Sequence, residues 1–160
     1  MKKIILGIDP GIADTGYGLI EVNGQELNFL DCGVIKTSSK LELADRLLIL
    51  YNDLNSLVDK YHPELVVIEE LYFNKNTKTA LIVGQARGVV LLVFKQKNLP
   101  LLGLTPPQVK QAVCAYGQAP KKQVQKMVQK ILKLKKIPQP DDAADALATA
   151  IGAAGLNYVK

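Results

Sequence analysis

Residues 2–18, KKIILGIDPGIADTGYG, decide how this chain folds. The nearly continuous apolar run from Lys3 to Asp9 is typical of a buried strand. Pro10 and Gly11 end that strand, so the Asp9 carboxylate stands where the strand leaves the sheet. Because burial of a lone carboxylate is costly unless it is paired or binds a metal, Asp9 is either a turn residue or part of a functional site.

The pattern after this stretch predicts an antiparallel meander followed by alternating helices and strands. Further strands are expected at residues 15–22 and 26–37, joined by a turn at Asn23-Gly24, and then at 64–73 and 99–104. Apolar residues with helical spacing predict helices at 39–61, 77–97, from 105, 121–134 and 137–155. This order predicts an α/β protein with a mixed five-stranded sheet and helices packed on its faces. No linker interrupts it, so we expect residues 1–160 to form a single domain.

Composition narrows the class of protein. The chain has 160 residues, 48% of them apolar, and a formal net charge of +5, which favours an acidic partner and nucleic acid first. No apolar run approaches the ~18 residues that a membrane helix needs, and the N-terminal residues lack signal-peptide features. We therefore expect a cytoplasmic protein without membrane partners. Cys32 and Cys114 have no zinc-site spacing.

A pair of acids ends another apolar strand. Glu69 and Glu70 end the run LVVIEE, as Asp9 ends the first strand. Adjacent residues of a strand face opposite ways, so at most one of the two points where Asp9 points. Both could instead lie in a solvated loop.

A third group of acids, DDAAD, opens the last predicted helix. Asp142 and Asp145 are three residues apart and Asp141 and Asp145 are four apart, so either pair shares a helix face and spacing alone leaves the choice open. Acids in a first helical turn also complement the helix dipole without further function. Acids at three separated points of one basic chain nevertheless favour a site, because converging carboxylates need protons or cations and hard oxygen ligands select Mg²⁺ or Mn²⁺.

Six ordered blocks resemble the RuvC family of Holliday junction resolvases. They are GIDPGIADTGYGLI (7–20), VVIEELYFNKN (66–76), GQARGV (84–89), TPPQVKQAV (105–113), KKQVQKMV (121–128) and DDAADALATAI (141–151). The resemblance implies an RNase H-like fold with helices on both faces of the sheet, a homodimer, and two Mg²⁺ ions per active site, with Mn²⁺ as a substitute. It implies paired symmetric nicks in four-way DNA junctions during recombination and repair, leaving 5′-phosphate and 3′-hydroxyl ends, and a complex with a branch-migration helicase.

The resemblance also assigns residues. It implies that the catalytic and metal-binding acids are Asp9, Glu69, Asp142 and Asp145. It implies DNA contacts by Tyr72 or Phe73, either of which could stack on bases at the crossover, and by the basic positions Lys110, Lys121 and Lys122.

Some features keep two interpretations. Lys122 begins a basic helix face with Lys126, Lys130 and Lys133, which either contacts phosphates or is a solvated surface. Gly84 and Gly88 lie four apart in a predicted helix, where each costs ~1 kcal/mol relative to alanine. Close packing on the sheet or against a dimer mate would compensate.

Three other functions are compatible with parts of the pattern. An RNase H-like nuclease acting on RNA or on DNA without a junction would need the same acids. A nucleotide-binding domain of the actin and sugar-kinase type would need a second domain and a second phosphate motif, which are not found here. A binding module without catalysis would not need all four acids.

Overall fold

A computed structural model describes residues 2–70 and 77–155, with the side chains of residues 77–79 excepted. Its five strands are β1 (Lys2–Asp9), β2 (Asp14–Asn23), β3 (Glu26–Lys36), β4 (Leu65–Glu69) and β5 (Leu101–Leu104). They form one sheet in the order β3-β2-β1-β4-β5. The first three strands pair antiparallel, whereas β4 pairs parallel with both β1 and β5. The predicted mixed five-stranded sheet is therefore confirmed.

Helices follow the meander in the predicted order. They are α1 (Leu43–Tyr61), α2 (Thr77–Gln96), α3 (Pro106–Cys114), α4 (Lys121–Ile131) and α5 (Asp141–Gly155). The start of α3 has a capping box: the Thr105 hydroxyl accepts from the Gln108 backbone, and the Gln108 side chain accepts from the Thr105 backbone. Within the two described ranges, no helix combines the length and apolar character that crossing a membrane requires.

Two apolar cores lie on opposite faces of the sheet. Leu6 and Ile8 of β1 pack in the core that includes residues of α1 and α2, whereas Ile5 packs in the core that includes residues of α3, α4 and α5. The alternation of a strand therefore turns residues 5, 7 and 9 toward α5. This arrangement determines where Asp9 points.

Helix α5 approaches the sheet closely because the facing residues have no side chain. A Cβ placed on Gly7 would lie 2.1 Å from the Ala146 backbone oxygen, and one on Gly18 would lie 2.6 Å from the Leu147 backbone nitrogen. On the helix side, the small side chains of the α5 alanines also allow this close approach, and nearly all of them are buried. The first turns of α5 are thereby brought down onto the ends of β1 and β2.

Several boundaries differ from the prediction. Helix α1 starts at Leu43 rather than at residue 39, with Leu41 in the preceding turn. Helix α4 ends at Ile131 because Lys133 takes a left-handed conformation with φ 52°. The hairpin turn is one residue later than predicted: Asn23 still pairs with Glu26, and Gly24, with φ 62°, is the first turn residue. Strand β4 ends at Glu69, and residues 71–73 of its predicted range lie outside the described residues.

Candidate metal centre and nucleic-acid cleft

Asp9 and Glu69 lie side by side at one edge of the sheet. They follow Ile8 and Ile68, which are paired in the parallel β1–β4 ladder, so both carboxylates leave the carboxyl ends of neighbouring strands. Glu69 shares the face of Val67, which packs in the α5 core, as Asp9 shares the face of Ile5. Both acids therefore point toward α5.

Glu70 lies elsewhere. It is exposed, and a Cβ on Gly103 would lie 2.5 Å from its Oε1 atom, which places the side chain against β5. Gly103 pairs with Ile68, which packs in the α1/α2 core. The structure thus separates the two glutamates by the face they occupy, as the strand alternation requires.

The loop after Asp9 is held by two threonines. The Thr15 hydroxyl donates to the Gly11 carbonyl, and the Thr37 hydroxyl donates to the Ile12 carbonyl. The Thr37 backbone also donates to Ala13 at 2.9 Å. This loop fixes the end of β1 and hence the direction in which Asp9 leaves it.

Helix α5 brings two more carboxylates to Asp9. Gly16 is the strand partner of Asp9, and a Cβ on Gly16 would lie 2.1 Å from the Asp142 backbone oxygen. One oxygen each of Asp9, Asp142 and Asp145 lie within 4.8 Å of one another, and all three residues are partly buried. Spacing left open whether Asp141 or Asp142 accompanies Asp145, and Asp142 is the one that belongs to this group.

Crowding and burial make Asp9 hard to ionise. Burial is the largest cause and repulsion by neighbouring carboxylates adds to it, so the pKa of Asp9 rises from 3.8 to about 8. The neighbours, in order of effect, are Glu69, Asp145 and Asp142, while Lys121 acts in the opposite direction. Glu69 therefore belongs to the same electrostatic cluster.

The pKa values of Glu69 and Asp142 are raised for similar reasons. For Glu69, burial acts first and Asp145 second, with Lys110 and Lys121 opposing them. For Asp142, burial acts first, followed by repulsion from Asp14 and Asp145. A cluster in which several acids resist ionisation together is one that a divalent cation would stabilise.

Two lysines border the acids. A cleft of about 180 Å³ is lined by Glu69 and Asp145 together with Lys110 from α3 and Lys121 from α4. Its remaining walls are apolar: Pro106, Val109, Val124 and Ala148. The cleft thus combines carboxylates with ammonium groups, which suits a phosphodiester held against a cation.

Lys121 is already engaged with the acids. Its Nζ atom lies 2.9 Å from Asp145 Oδ2 and 3.4 Å from Asp141 Oδ2. Burial lowers the pKa of Lys121, but the hydrogen bond and attraction to Asp145, with a further contribution from Asp141, raise it above its ordinary value. The ammonium group therefore stays charged in the cleft.

The other predicted DNA-contact residues are less constrained. Lys122 is exposed at the start of α4, as are Lys126 and Lys130 on the same helix. None of these three lysines is among the residues that line the cleft. Tyr72 and Phe73 lie outside the described residues. Their DNA contacts remain predictions.

Two neighbours of the acids were missed by the sequence analysis. Asp14 raises the pKa of Asp142, and the Gln125 amide donates to Asp141 Oδ1 at 3.0 Å. Gln125 lies four residues after Lys121 on α4, so helical spacing could have placed both toward the start of α5. No comparable pattern pointed to Asp14, which acts from the first position of β2.

The residues present fit the oxygen-ligand chemistry of a hard divalent cation. Every candidate ligand is a carboxylate, which suits Mg²⁺ or Mn²⁺ rather than a thiolate- or imidazole-seeking metal. The candidate ligands come from the adjacent strands β1 and β4 and from α5, whose backbone lies close to Gly7 and Gly16. The prediction that these acids bind metal and catalyse remains a prediction, whereas their proximity is an observation.

A family model and the sequence relatives of this chain carry the same description. The family model described as crossover junction endodeoxyribonuclease RuvC matches residues 5–153. The protein of that description from Caldicellulosiruptor saccharolyticus is 55% identical over 148 residues, covering 92% of this chain and 89% of the relative. Its counterpart from Halothermothrix orenii is 53% identical over 148 residues, covering 92% and 90%.

A solved structure agrees closely as well. Thermus thermophilus RuvC in complex with a Holliday junction substrate superposes with a TM-score of 0.92 at 35% identity, over 96% of this chain and 94% of that one. This match confirms the predicted α/β architecture.

Proposed function

The chain belongs to the RuvC family of crossover junction endodeoxyribonucleases, and we propose that it resolves four-way (Holliday) DNA junctions in homologous recombination and repair. The observation that carries this proposal is the convergence of four acids from β1, β4 and α5, two of which, Glu69 and Asp145, line one cleft together with two lysines. A nuclease for phosphodiesters needs both a cation site and positive charge for the DNA backbone.

The acids would hold the metal ions. Asp9, Glu69, Asp142 and Asp145 would together hold two Mg²⁺ ions, with Mn²⁺ as a substitute. When bound, such ions activate water and stabilise the charge that develops on the leaving oxygen. The position of Asp9, next to each of the other three acids, supports this shared role.

The lysines would position the DNA. Lys110 and Lys121 both line the cleft, and we propose that they bind the phosphates on either side of the scissile one. Lys121 would also stabilise negative charge in the transition state, because its ammonium group remains protonated beside Asp145. The products would be 5′-phosphate and 3′-hydroxyl ends.

The substrate would be recognised by residues around the cleft. The exposed Lys122 would contact the DNA backbone, and Tyr72 or Phe73 would stack on bases at the crossover. Paired nicks in opposite strands require two active sites, so the enzyme would act as a homodimer.

Helix α2 offers a surface for that dimer. A Cβ on Gly84 or Gly88 would meet no heavy atom within 4 Å, so these glycines do not serve packing on the sheet. Leu81 and Leu92 are 66% and 53% exposed on the same helix, and residues 81, 84, 88 and 92 recur with the spacing of a helix–helix seam. We propose that α2 packs against its counterpart in a second copy.

The remaining assignments rest on the family resemblance. We propose that residues 1–160 form one RNase H-like nuclease domain, in keeping with the packing of α5 on β1. We place the activity in the cytoplasm, together with the DNA substrate, and propose that a branch-migration helicase joins the complex.

A substrate panel tests the function. A four-way junction, a duplex, a flap and an RNA–DNA hybrid of matched sequence would be incubated with Mg²⁺ and with chelator. We expect symmetric nicks in the junction with Mg²⁺ alone. Preferred cleavage of the hybrid or the duplex would overturn the proposal in favour of a different RNase H-like nuclease.

A pair of neighbouring glutamates supplies a matched control. Glu69→Gln is expected to lower junction cleavage at least about 100-fold, while Glu70→Gln, on the other face of the sheet, leaves it within about twofold. Equal losses in the two variants would contradict the assignment of Glu69. Junction binding in chelator, measured by gel shift, should persist in both.

A further inference from the structure

Asp141 makes contacts that no metal-binding role explains. Its two carboxylate oxygens have different partners: Oδ1 accepts from Gln125 Nε2 at 3.0 Å, and Oδ2 lies 3.4 Å from Lys121 Nζ. Asp141 is not part of the group of oxygens formed by Asp9, Asp142 and Asp145. It stands beside the candidate metal centre and faces the lysine.

Gln125 fixes the orientation of this carboxylate. It is one of the few buried polar residues, with 8% of its surface exposed, and its amide donates to Asp141. A buried amide that gives up this hydrogen bond would be left unsatisfied. Asp141 is therefore held with its second oxygen directed at Lys121, although its own side chain is 55% exposed.

Lys121 consequently has two carboxylate partners, only one of which is a candidate metal ligand. Its ammonium lies nearer to Asp145, with Nζ 2.9 Å from Oδ2, so the ammonium and a divalent cation bound to the same carboxylate would repel each other. This repulsion favours movement of the ammonium away from Asp145. Asp141 is the one other carboxylate within 4.0 Å of Lys121 Nζ among the residues that the structure describes.

We propose that Asp141 is a positioning residue that retains Lys121 at the cleft when metal binds, by accepting the ammonium group as it leaves Asp145. This inference rests on the proposed function, since it concerns the metal-loaded site of that nuclease. The lysine then stays at the mouth of the cleft, where it meets the DNA phosphate, instead of moving into solvent. Gln125 keeps the receiving oxygen in place.

The lysine itself provides the readout. In ¹H–¹⁵N spectra of lysine side chains, an ammonium held in an ion pair gives a visible cross peak, which can be assigned by its absence in Lys121→Ala. We expect the peak in wild-type protein both with chelator and with saturating Mg²⁺. In Asp141→Asn we expect it with chelator, where Asp145 still pairs with the lysine, and its loss on adding Mg²⁺.

The matched control removes a nearby charge that does not contact the lysine. Asp14 acts on Asp142 but forms no ion pair with Lys121 within the described part of the chain. Asp14→Asn should therefore retain the peak with Mg²⁺, as the wild type does. Loss of the peak in Mg²⁺-loaded wild type, or its retention in Mg²⁺-loaded Asp141→Asn, would overturn the inference.

Cleavage gives a second measurement. At saturating Mg²⁺, Asp141→Asn is expected to cut junctions about fivefold more slowly, the size of effect that one half-exposed ion pair supports, and Asp14→Asn less than twofold. Equal slowing in the two variants would contradict the inference. A wild type that neither binds Mg²⁺ nor cuts junctions would instead refute the proposed function, so the two failures are distinguishable.

Discussion

The glycines of the sheet and the glycines of α2 lie in opposite surroundings. On β1 and β2, Gly7, Gly16 and Gly18 each have backbone atoms of α5 where a side chain would begin. On α2, the same space at Gly84 and Gly88 is open. Glycine therefore occurs on two surfaces, of which one packs against α5 within the protomer and the other faces outward.

The glycines of the sheet thus belong to the packing that forms the candidate site, whereas those of α2 belong to the surface that we propose for the dimer. Because α5 is drawn onto the sheet, Asp142 and Asp145 are forced near Asp9, and the resulting repulsion and burial raise the pKa of Asp9. On α2, no neighbour within the described part of the protomer requires the glycines. Substitutions on the two surfaces should therefore differ in what they damage.

The largest effect is expected on the inner surface. Gly7→Ala places a methyl group 2.1 Å from the Ala146 backbone oxygen, and a backbone atom of a buried helix cannot give way without moving the helix. We expect a loss of about 4 kcal/mol in the free energy of unfolding, at the upper end for overpacking. Urea denaturation measures it, and a loss below about 1 kcal/mol would contradict the close approach of α5.

Removing one of the crowded carboxylates should raise the free energy of unfolding instead of lowering it. In metal-free protein the folded state holds the Asp9 proton up to pH about 8, whereas an unfolded chain releases it near 3.8. Stability therefore falls as pH rises through this window. Asp9→Asn removes that loss, so at pH 8 it should raise the free energy of unfolding by on the order of 3 kcal/mol, while abolishing cleavage.

Chemical denaturation in chelator at several pH values checks this expectation. Asp14→Asn is the matched control, since it removes an exposed charge that is not among the groups that shift the pKa of Asp9, and we expect it to change stability by less than about 0.5 kcal/mol. A wild-type stability that does not decline between pH 5 and pH 8 would be evidence against the raised pKa.

The same proton should govern metal affinity. A divalent cation competes with the proton on Asp9, so Mg²⁺ binding is expected to tighten by about tenfold per pH unit below the pKa of about 8 and to level off above it. Isothermal titration calorimetry without DNA measures the affinity. Binding that does not vary between pH 6 and pH 8 would show that Asp9 is already ionised.

The smallest effect on the protomer is expected at the outer surface. Gly88→Ala adds a methyl group to open space, so helix propensity should stabilise the protomer by up to ~1 kcal/mol. If α2 helices approach each other closely in the dimer, the dissociation constant should rise at least about tenfold. Sedimentation measures that constant, and an unchanged value would place the dimer surface elsewhere.

Much of the fold followed from the sequence because its signals are local. The apolar run ending at Asp9, the glycine of the β2–β3 turn and the Thr105 cap act over a few residues, and the corresponding elements are where the pattern predicted them. The prediction was wrong at the ends of several helices and strands. The helix pattern continued to Leu134, yet Lys133 turns the backbone aside while Leu132 still packs in the core.

The candidate site was predicted less completely. Its acids follow recognisable elements, but the choice of Asp142 over Asp141 depends on how α5 docks, which is set by Gly16 on a distant strand. Gln125 and Asp14 were missed because their influence on the acids is a tertiary contact. Spacing along one helix cannot show which side chain a second helix will meet.

The order of elements along the chain has a consequence for biosynthesis. Asp9 and Glu69 leave the ribosome early, whereas Asp142 and Asp145 arrive only with α5, the last helix in the described chain. With the roles proposed for these acids, a polypeptide that stops before residue 141 has half of its metal ligands, so cleavage would begin only after α5 has been synthesised and has packed on the sheet.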